Sequence, residues 1–139
     1  MMIETKTIQF STRGMTDIID ITPKVAEVVK KSRVQSGIVC IFLPGSTGGI
    51  TTIEYEPGLI KDLPEVLDRV IPTNKRYHHD ATWGDGNGFA HLRSALIKTS
   101  LVVPFTDKKL LLGTWQQIVF LDFDNRSRNR RLILQIMGE

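Results

Sequence analysis

The stretch from Ser100 to Met137 constrains the fold more than any other part of the chain. It holds four strand-like runs in succession: "SLVVPF", "KLLLG", "WQQIVFLDF" and "NRRLILQIM". Asp107-Lys108 supplies a tight turn between the first two. Trp115, in the third run, is expected in the core. Gln116 and Gln117 sit in a run that otherwise reads as buried strand. One of them must meet a polar partner, because an unpaired buried amide costs roughly 1–3 kcal/mol. That glutamine lines a pocket, or it occupies an outward-facing strand position.

Upstream, strands alternate with helices. The β-branched residues of "IETKTIQFST" favour a strand, with Glu4, Lys6, Ile8 and Phe10 on one face and a turn at Arg13-Gly14. "MTDIIDI" predicts a second short strand. Thr22-Pro23 predicts a helix start, with Thr as N-cap and Pro at the first helical position. Val25, Val28 and Val29 give that helix an apolar stripe, and Gly37 ends the segment. "GIVCIFL" is a continuous apolar run and predicts a buried strand, with Cys40 as a core thiol. "EPGLIKDLPEVLDRVIP" predicts a helix carrying Leu59, Leu63, Val66, Leu67 and Val70, with Pro64 early in it or splitting it in two.

Asn87 is expected to cap a further helix over "GFAHLRSALIK". Helical spacing groups Phe89, Leu92 and Leu96 on its core face and turns His91 away from them. The small residues Ala90, Ser94 and Ala95 beside His91 would admit another element, and a subunit contact is expected there. The sum is an α+β fold: a largely antiparallel sheet or sandwich with about three helices, formed by residues 1–139 as one domain.

A chain of 139 residues can bury enough apolar surface to fold without staples. A single cysteine rules out an internal disulfide. The N-terminal "MMIETKTIQF" has no signal-like pattern, and no apolar run approaches the roughly 20 residues of a membrane span. A cytoplasmic protein without a membrane partner is expected. A net charge of +3 is too small to argue for nucleic acid. The one basic cluster, Arg126, Arg128, Arg130 and Arg131, is either a solvated strand end or an anion-binding group.

Two segments carry candidate chemistry. "YHHDATWGDGNGFAHLRS" contains all three histidines of the chain. His79, Asp80 and His91 together could hold a divalent metal with positions left open for substrate. The same residue types also suit a hydrogen-bonded loop, since Asp80 and Asp85 cap turns well. His78 points away from His79 in an extended chain. In "PGSTGGITTIEYEPG", Ser46, Thr47, Gly48 and Gly49 offer hydroxyls and backbone amides to a phosphate. No Lys-Ser/Thr follows at P-loop spacing, and a glycine-rich turn is the competing reading. Glu54 is a candidate base or metal ligand, or a plain surface carboxylate.

Taken together, "GSTGGITTIEYEPG", "YHHDATWGDGNGFAHLRSALI", "SLVVPF", "LLGTWQQIVFLDFDNR" and the terminal "MGE" resemble the YjbQ-like family, also described as secondary thiamine-phosphate synthase enzymes. The resemblance runs from Phe10 to Glu139. It implies an α+β sandwich in a homotrimer. It also implies the joining of hydroxymethylpyrimidine diphosphate to a thiazole phosphate with release of pyrophosphate. Under that expectation Glu54, Asp80 and His91 are catalytic. Ser46, Thr47, Gly48, Gly49, Asn87, Gln116 and Arg126 contact a small phosphorylated substrate. His79, Asp80 and His91 hold a divalent ion, Mg or Zn.

One block departs from the pattern. Many family members carry a His-Thr-Ser type block where this chain has Gly45-Ser46-Thr47. The glycine removes a third histidine and opens room for a phosphate-sized group. A non-enzymatic trimer that binds a phosphorylated metabolite or a metal is the competing function.

Overall fold

A computed structural model describes residues 1–139. The elements, in chain order, are β1 (Met2–Thr12), β2 (Asp17–Asp20), α1 (Thr22–Lys31), β3 (Gly37–Phe42), β4 (Gly48–Ile53), α2 (Pro57–Val70), α3 (His78–Trp83), α4 (Gly88–Ile97), β5 (Ser100–Thr106), β6 (Lys109–Leu110), β7 (Gln117–Asp122) and β8 (Arg128–Gly138). The strands form a five-stranded sheet in the order β1-β8-β3-β5-β6 and a three-stranded sheet in the order β2-β7-β4. Every pairing is antiparallel. The fold is α+β, with three helices of ten residues or more and the six-residue α3.

Period-two alternation gives the five-stranded sheet one dry face. Ile8, Val39, Ile41, Val103, Phe105, Leu132, Leu134 and Ile136 point inward to the main core, which Val25 and Val29 of α1 complete. The opposite face exposes Ile3, Ile38, Phe42 and Val102. The run "GIVCIFL" is therefore buried on alternate residues only. Cys40 falls on the outer face and is half-buried, a correction to the core thiol expected from its apolar neighbours.

β7 is the strand buried on both faces. Ile118 and Phe120 enter the main core, while Val119 and Leu121, with Phe123 just beyond the strand, enter a second core with Leu67, Ile71, Phe89 and Ala90. The three-stranded sheet is thus a middle layer, with the larger sheet on one side and α2 and α4 on the other.

Several local expectations meet a different tertiary demand. Thr22 does not cap α1. Ile21 holds the cap position, and the Thr22 hydroxyl accepts the Ile118 amide at 2.8 Å, tying the helix to β7. Pro64 lies inside a single α2, whose N-cap is Glu56; its carboxylate accepts the Gly58 and Leu59 amides. Val66 and Val70 of α2 face outward. Trp115 is 70% exposed, because β7 starts two residues later and residues 113–116 form a tight turn.

α4 presents Phe89, Ala90, Arg93 and Ser94 to the interior, whereas Leu92 and Leu96 are 47% and 56% exposed. Arg93, 1% exposed, sets this rotation. Its guanidinium donates twice to the Ile71 carbonyl at the end of α2, and also to Thr16 Oγ1 and Asp68. The Ser94 hydroxyl donates to the Gly48 carbonyl of β4 at 2.6 Å. These donors would lose their partners if the leucines turned inward. Ala90 and Ser94 therefore pack within the chain, and only Ala95 of the predicted small-residue surface stays exposed. No helix is long and apolar enough to cross a membrane.

Candidate metal centre

The histidine segment folds as a helix, a glycine hinge and a second helix. Asp80 holds the joint: one carboxylate oxygen accepts the Tyr77 amide at 2.9 Å, and the other accepts the Gly88 amide at 3.0 Å. It thus caps the starts of α3 and α4 at once. The expected cap, Asn87, occupies the N-cap position of α4 but makes no side-chain capping bond. Gly84 ends α3 in the left-handed conformation, and Gly86 also has positive φ, at 74° and 67°. Between them the chain swings Asp85 back over His79. The Asn125 side chain fixes that swing by donating to the Asp85 carbonyl. Gly88 allows the helices to touch: a Cβ there would lie 2.7 Å from Tyr77 Cβ and 3.1 Å from Asp80 Oδ1.

This packing brings His79 and His91 together, with ring centroids 4.2 Å apart. His79 Nδ1 is buried and has no hydrogen-bond partner. It lies 3.6 Å from Asp85 Oδ1 and 3.9 Å from Asp80 Oδ1. These gaps are too long for hydrogen bonds. Two ligands on one tetrahedral zinc, each bonded at about 2.0–2.2 Å, sit roughly 3.3–3.6 Å apart. Ligand atoms of His79, Asp80 and Asp85 all fall within 4.8 Å of one another. A buried, unpartnered ring nitrogen facing two carboxylates fits a divalent cation once it carries no proton, and Asp80 keeps a second lone pair on each oxygen for it.

Protonation favours the same role. The Tyr77 and Gly88 amides hold the Asp80 carboxyl below its usual range against partial burial, and His79 and Arg76 add to the effect. Burial first, then repulsion from His79, lowers His91 below the ordinary imidazole range; Asp85 and Asp124 pull the other way. A neutral His91 offers a lone pair.

Behind the histidines lies a charge network that no spacing rule singled out. Asp122 and Asp124 are fully buried at the end of β7. Arg130 Nε and Nη2 each donate to Asp122 at 2.8 Å, and Arg128 Nε donates to Asp124 at 2.8 Å. Asn87 Nδ2 donates to Asp124 at 3.3 Å, while Asn87 Oδ1 stays buried without a partner. Burial raises the Asp124 carboxyl, but the Asn125 amide, Arg128 and Asn87 outweigh it and leave it below its usual value. The i, i+2 spacing of Asp122 with Asp124, and of Arg128 with Arg130, was the available signal: the arginines share one face of β8, and Asp124 follows just beyond the end of β7.

The remaining candidates divide. Ser46 lies beside His91 on the wall of a cavity of about 230 Å³. Thr47 is buried, and its hydroxyl accepts Arg130 Nη2 at 2.9 Å. Gly48 and Gly49 are not in a loop: they lie in β4, paired with Asp122 and Leu121. They are small because a Cβ would lie 2.6 Å from Phe120 and 2.7 Å from Ile97 respectively. Glu54 follows Ile53, which pairs with Gln117, at the end of β4 opposite Gly48. Gln116 is at that same end, where its amide bridges Gly113 and Thr52. Six strand residues, about 17–20 Å, separate both from the Asp122 end. Arg126 is exposed in the β7–β8 turn. His78 faces solvent.

Two antiparallel sheets backed by helices, with histidines and carboxylates converging between α3 and α4, define an α+β protein with a candidate divalent-metal centre. The chain belongs to the UPF0047, YjbQ-like family, whose model matches residues 6–139. A UPF0047 protein of Archaeoglobus fulgidus is 38% identical over 130 residues, covering 94% of this chain and 98% of its own length. UPF0047 protein YugU of Bacillus subtilis is 34% identical, covering 96% and 98%. The crystal structure of a YbjQ-like protein of unknown function from Sulfolobus solfataricus P2 superposes with a TM-score of 0.93 at 30% identity, over 99% of each chain.

Proposed function

We propose that the protein is a metal-assisted transferase of the thiamine-phosphate synthase type, which joins hydroxymethylpyrimidine diphosphate to a thiazole phosphate. A C–O bond to the diphosphate breaks, a C–N bond to the thiazole nitrogen forms, and the bonding pair leaves with pyrophosphate. The observation that carries the metal requirement is the buried, unpartnered His79 Nδ1 facing Asp80 and Asp85. The resemblance of the sequence blocks supports the reaction itself. A divalent ion would be held by His79, Asp80 and Asp85, with His91 stacked on His79, and would supply positive charge to the leaving diphosphate. Asp80 positions the other ligands by clamping α3 to α4. Glu54 and Gln116 have no part in this reading, because they sit at the far end of β4 and β7.

The proposal includes a homotrimer. Self-association is supported by the apolar outer face of the five-stranded sheet, where Ile3, Ile38, Phe42 and Val102 are exposed, and the number of copies rests on the resemblance of the sequence blocks.

The test is to incubate purified protein with both precursors and Mg²⁺ or Zn²⁺ and to look for thiamine phosphate and pyrophosphate. The wild-type protein should form both, EDTA should abolish them, and His79→Ala should lose both turnover and bound metal. Product formation that survives EDTA would sink the metal's role. Metal or precursor binding without product would favour a non-enzymatic binding protein.

A further inference from the structure

Five non-glycine residues have positive φ. In four of them, Met15, Thr16, Asp107 and Lys108, φ lies between 50° and 65°, near the left-handed helical value. Lys98 differs. At φ 88° and ψ 158° it occupies a region that is essentially glycine's alone. Two backbone bonds hold it there: its amide donates to the Ser94 carbonyl at 2.9 Å, and its carbonyl accepts the Ile50 amide at 3.1 Å. Together they pin the end of α4 to β4. A glycine would serve that backbone better, so a lysine held there points to a role for its side chain.

Lys98 lines the cavity of about 230 Å³ between the Gly45-Ser46 turn and the second half of α4, together with Thr99 and His91. No carboxylate lines this space, and Lys98 forms no ion pair or side-chain hydrogen bond. The Ser94 hydroxyl is committed to the Gly48 carbonyl, which leaves Lys98, Ser46 and Thr99 as donors. Gly45 brings a second cation close: a Cβ there would lie 3.7 Å from Arg130 Nη1. Asp122 and Thr47 engage only the Nε and Nη2 of that guanidinium. Hydroxyl donors and a lysine lining a space without an acid favour an oxyanion.

We infer that this cavity is a phosphate subsite, in which Lys98 binds the phosphoryl oxygens of the substrate with Ser46 and Thr99. His91 lines this cavity and stacks on His79, with ring centroids 4.2 Å apart, so a phosphorylated substrate seated on Lys98 lies one ring away from the candidate cation centre. The identity of the whole substrate rests on the function proposed above; the subsite does not.

The test uses inorganic pyrophosphate as the probe, titrated into metal-free protein in EDTA and followed by calorimetry or phosphorus NMR. Wild type should bind it. Lys98→Met, which keeps the stem and loses the charge, should weaken binding about tenfold or more, and Lys98→Arg should largely retain it. Lys98→Gly should weaken binding equally while raising Tm, because glycine adopts this backbone without strain. Absence of binding to wild type, or equal binding by Lys98→Met, overturns the subsite. Lys98-dependent binding without thiamine phosphate formation overturns the proposed reaction and leaves the subsite standing. Product formation at an unchanged KM in Lys98→Met does the reverse.

Discussion

Asp122 and Asp124 show what one buried charge asks of its neighbours. Each is fully buried and is answered by an arginine two strand positions from the other. Removing one partner of such a pair strands the other charge away from water. Asp122→Ala should therefore lose about 3–5 kcal/mol of stability in urea denaturation. Asp124 adds a pH dependence. Its folded pKa lies below the unfolded value of 3.8, so the folded state binds its proton less readily. The stabilisation is fully present above about pH 3.8 and is lost as pH falls through the folded value. Asp124→Asn should flatten the acid limb of a stability profile measured by urea denaturation at stepped pH. An unchanged limb would remove Asp124 from that role. Glu4 behaves alike near Arg33, whose amide and side chain lower its carboxyl, so the acid limb retains a component without Asp124.

At the scale of elements, the joint between α3 and α4 decides whether the histidines meet. Neither helix carries both rings, and their approach depends on Gly88 having no Cβ. Gly88→Ala should weaken binding of a divalent ion by about tenfold, read by competition with a chelator, although it alters no ligand. It should also destabilise the fold by about 1–3 kcal/mol through overpacking. Gly86 gives a cleaner case. A Cβ there would meet nothing within 4 Å, but its φ of 67° disfavours other residues. Gly86→Ala should lose only about 1 kcal/mol of stability while displacing Asp85 and lowering metal affinity. Metal affinity equal to wild type in both variants would show that the hinge does not set the site. The helix over residues 88–97 was legible from its sequence, but its rotation was not. Phe89, Leu92 and Leu96 form the apolar stripe, yet Arg93 and Ser94 determine which side faces inward.

The whole molecule leaves one sheet face uncovered. Cys40 lies between Val102 and Gln135 on that face, flanked by Ile38 and Phe42, which pair across the sheet with Met137 and Ile133. Such a surface favours association. Light scattering should give about three times the 15.7 kDa chain mass for wild type. The double variant Phe42→Glu, Val102→Lys should shift it toward the single-chain mass. A monomeric wild type would refute the trimer, and a trimeric double variant would place the contact elsewhere.

Element type was readable along the chain because it depends on local periodicity and turn chemistry. Most of the strands, the Asp107-Lys108 hairpin turn, the helix containing Pro64 and the antiparallel α+β class carry that signal, whereas β4, read as a glycine-rich turn, and α3, read as a loop, do not. His79, Asp80 and His91 were visible as a set of residue types, but the third residue whose ligand atom converges with those of His79 and Asp80 is Asp85. Partnership was not. Whether Thr22 caps a helix or grips β7, whether Gly48 cradles a ligand or makes room for Phe120, and whether Asp85 turns out to solvent or back to His79 depend on contacts between residues distant in sequence. A polar side chain takes the partner that the packed fold brings within hydrogen-bonding reach, and only the tertiary structure specifies which partner that is.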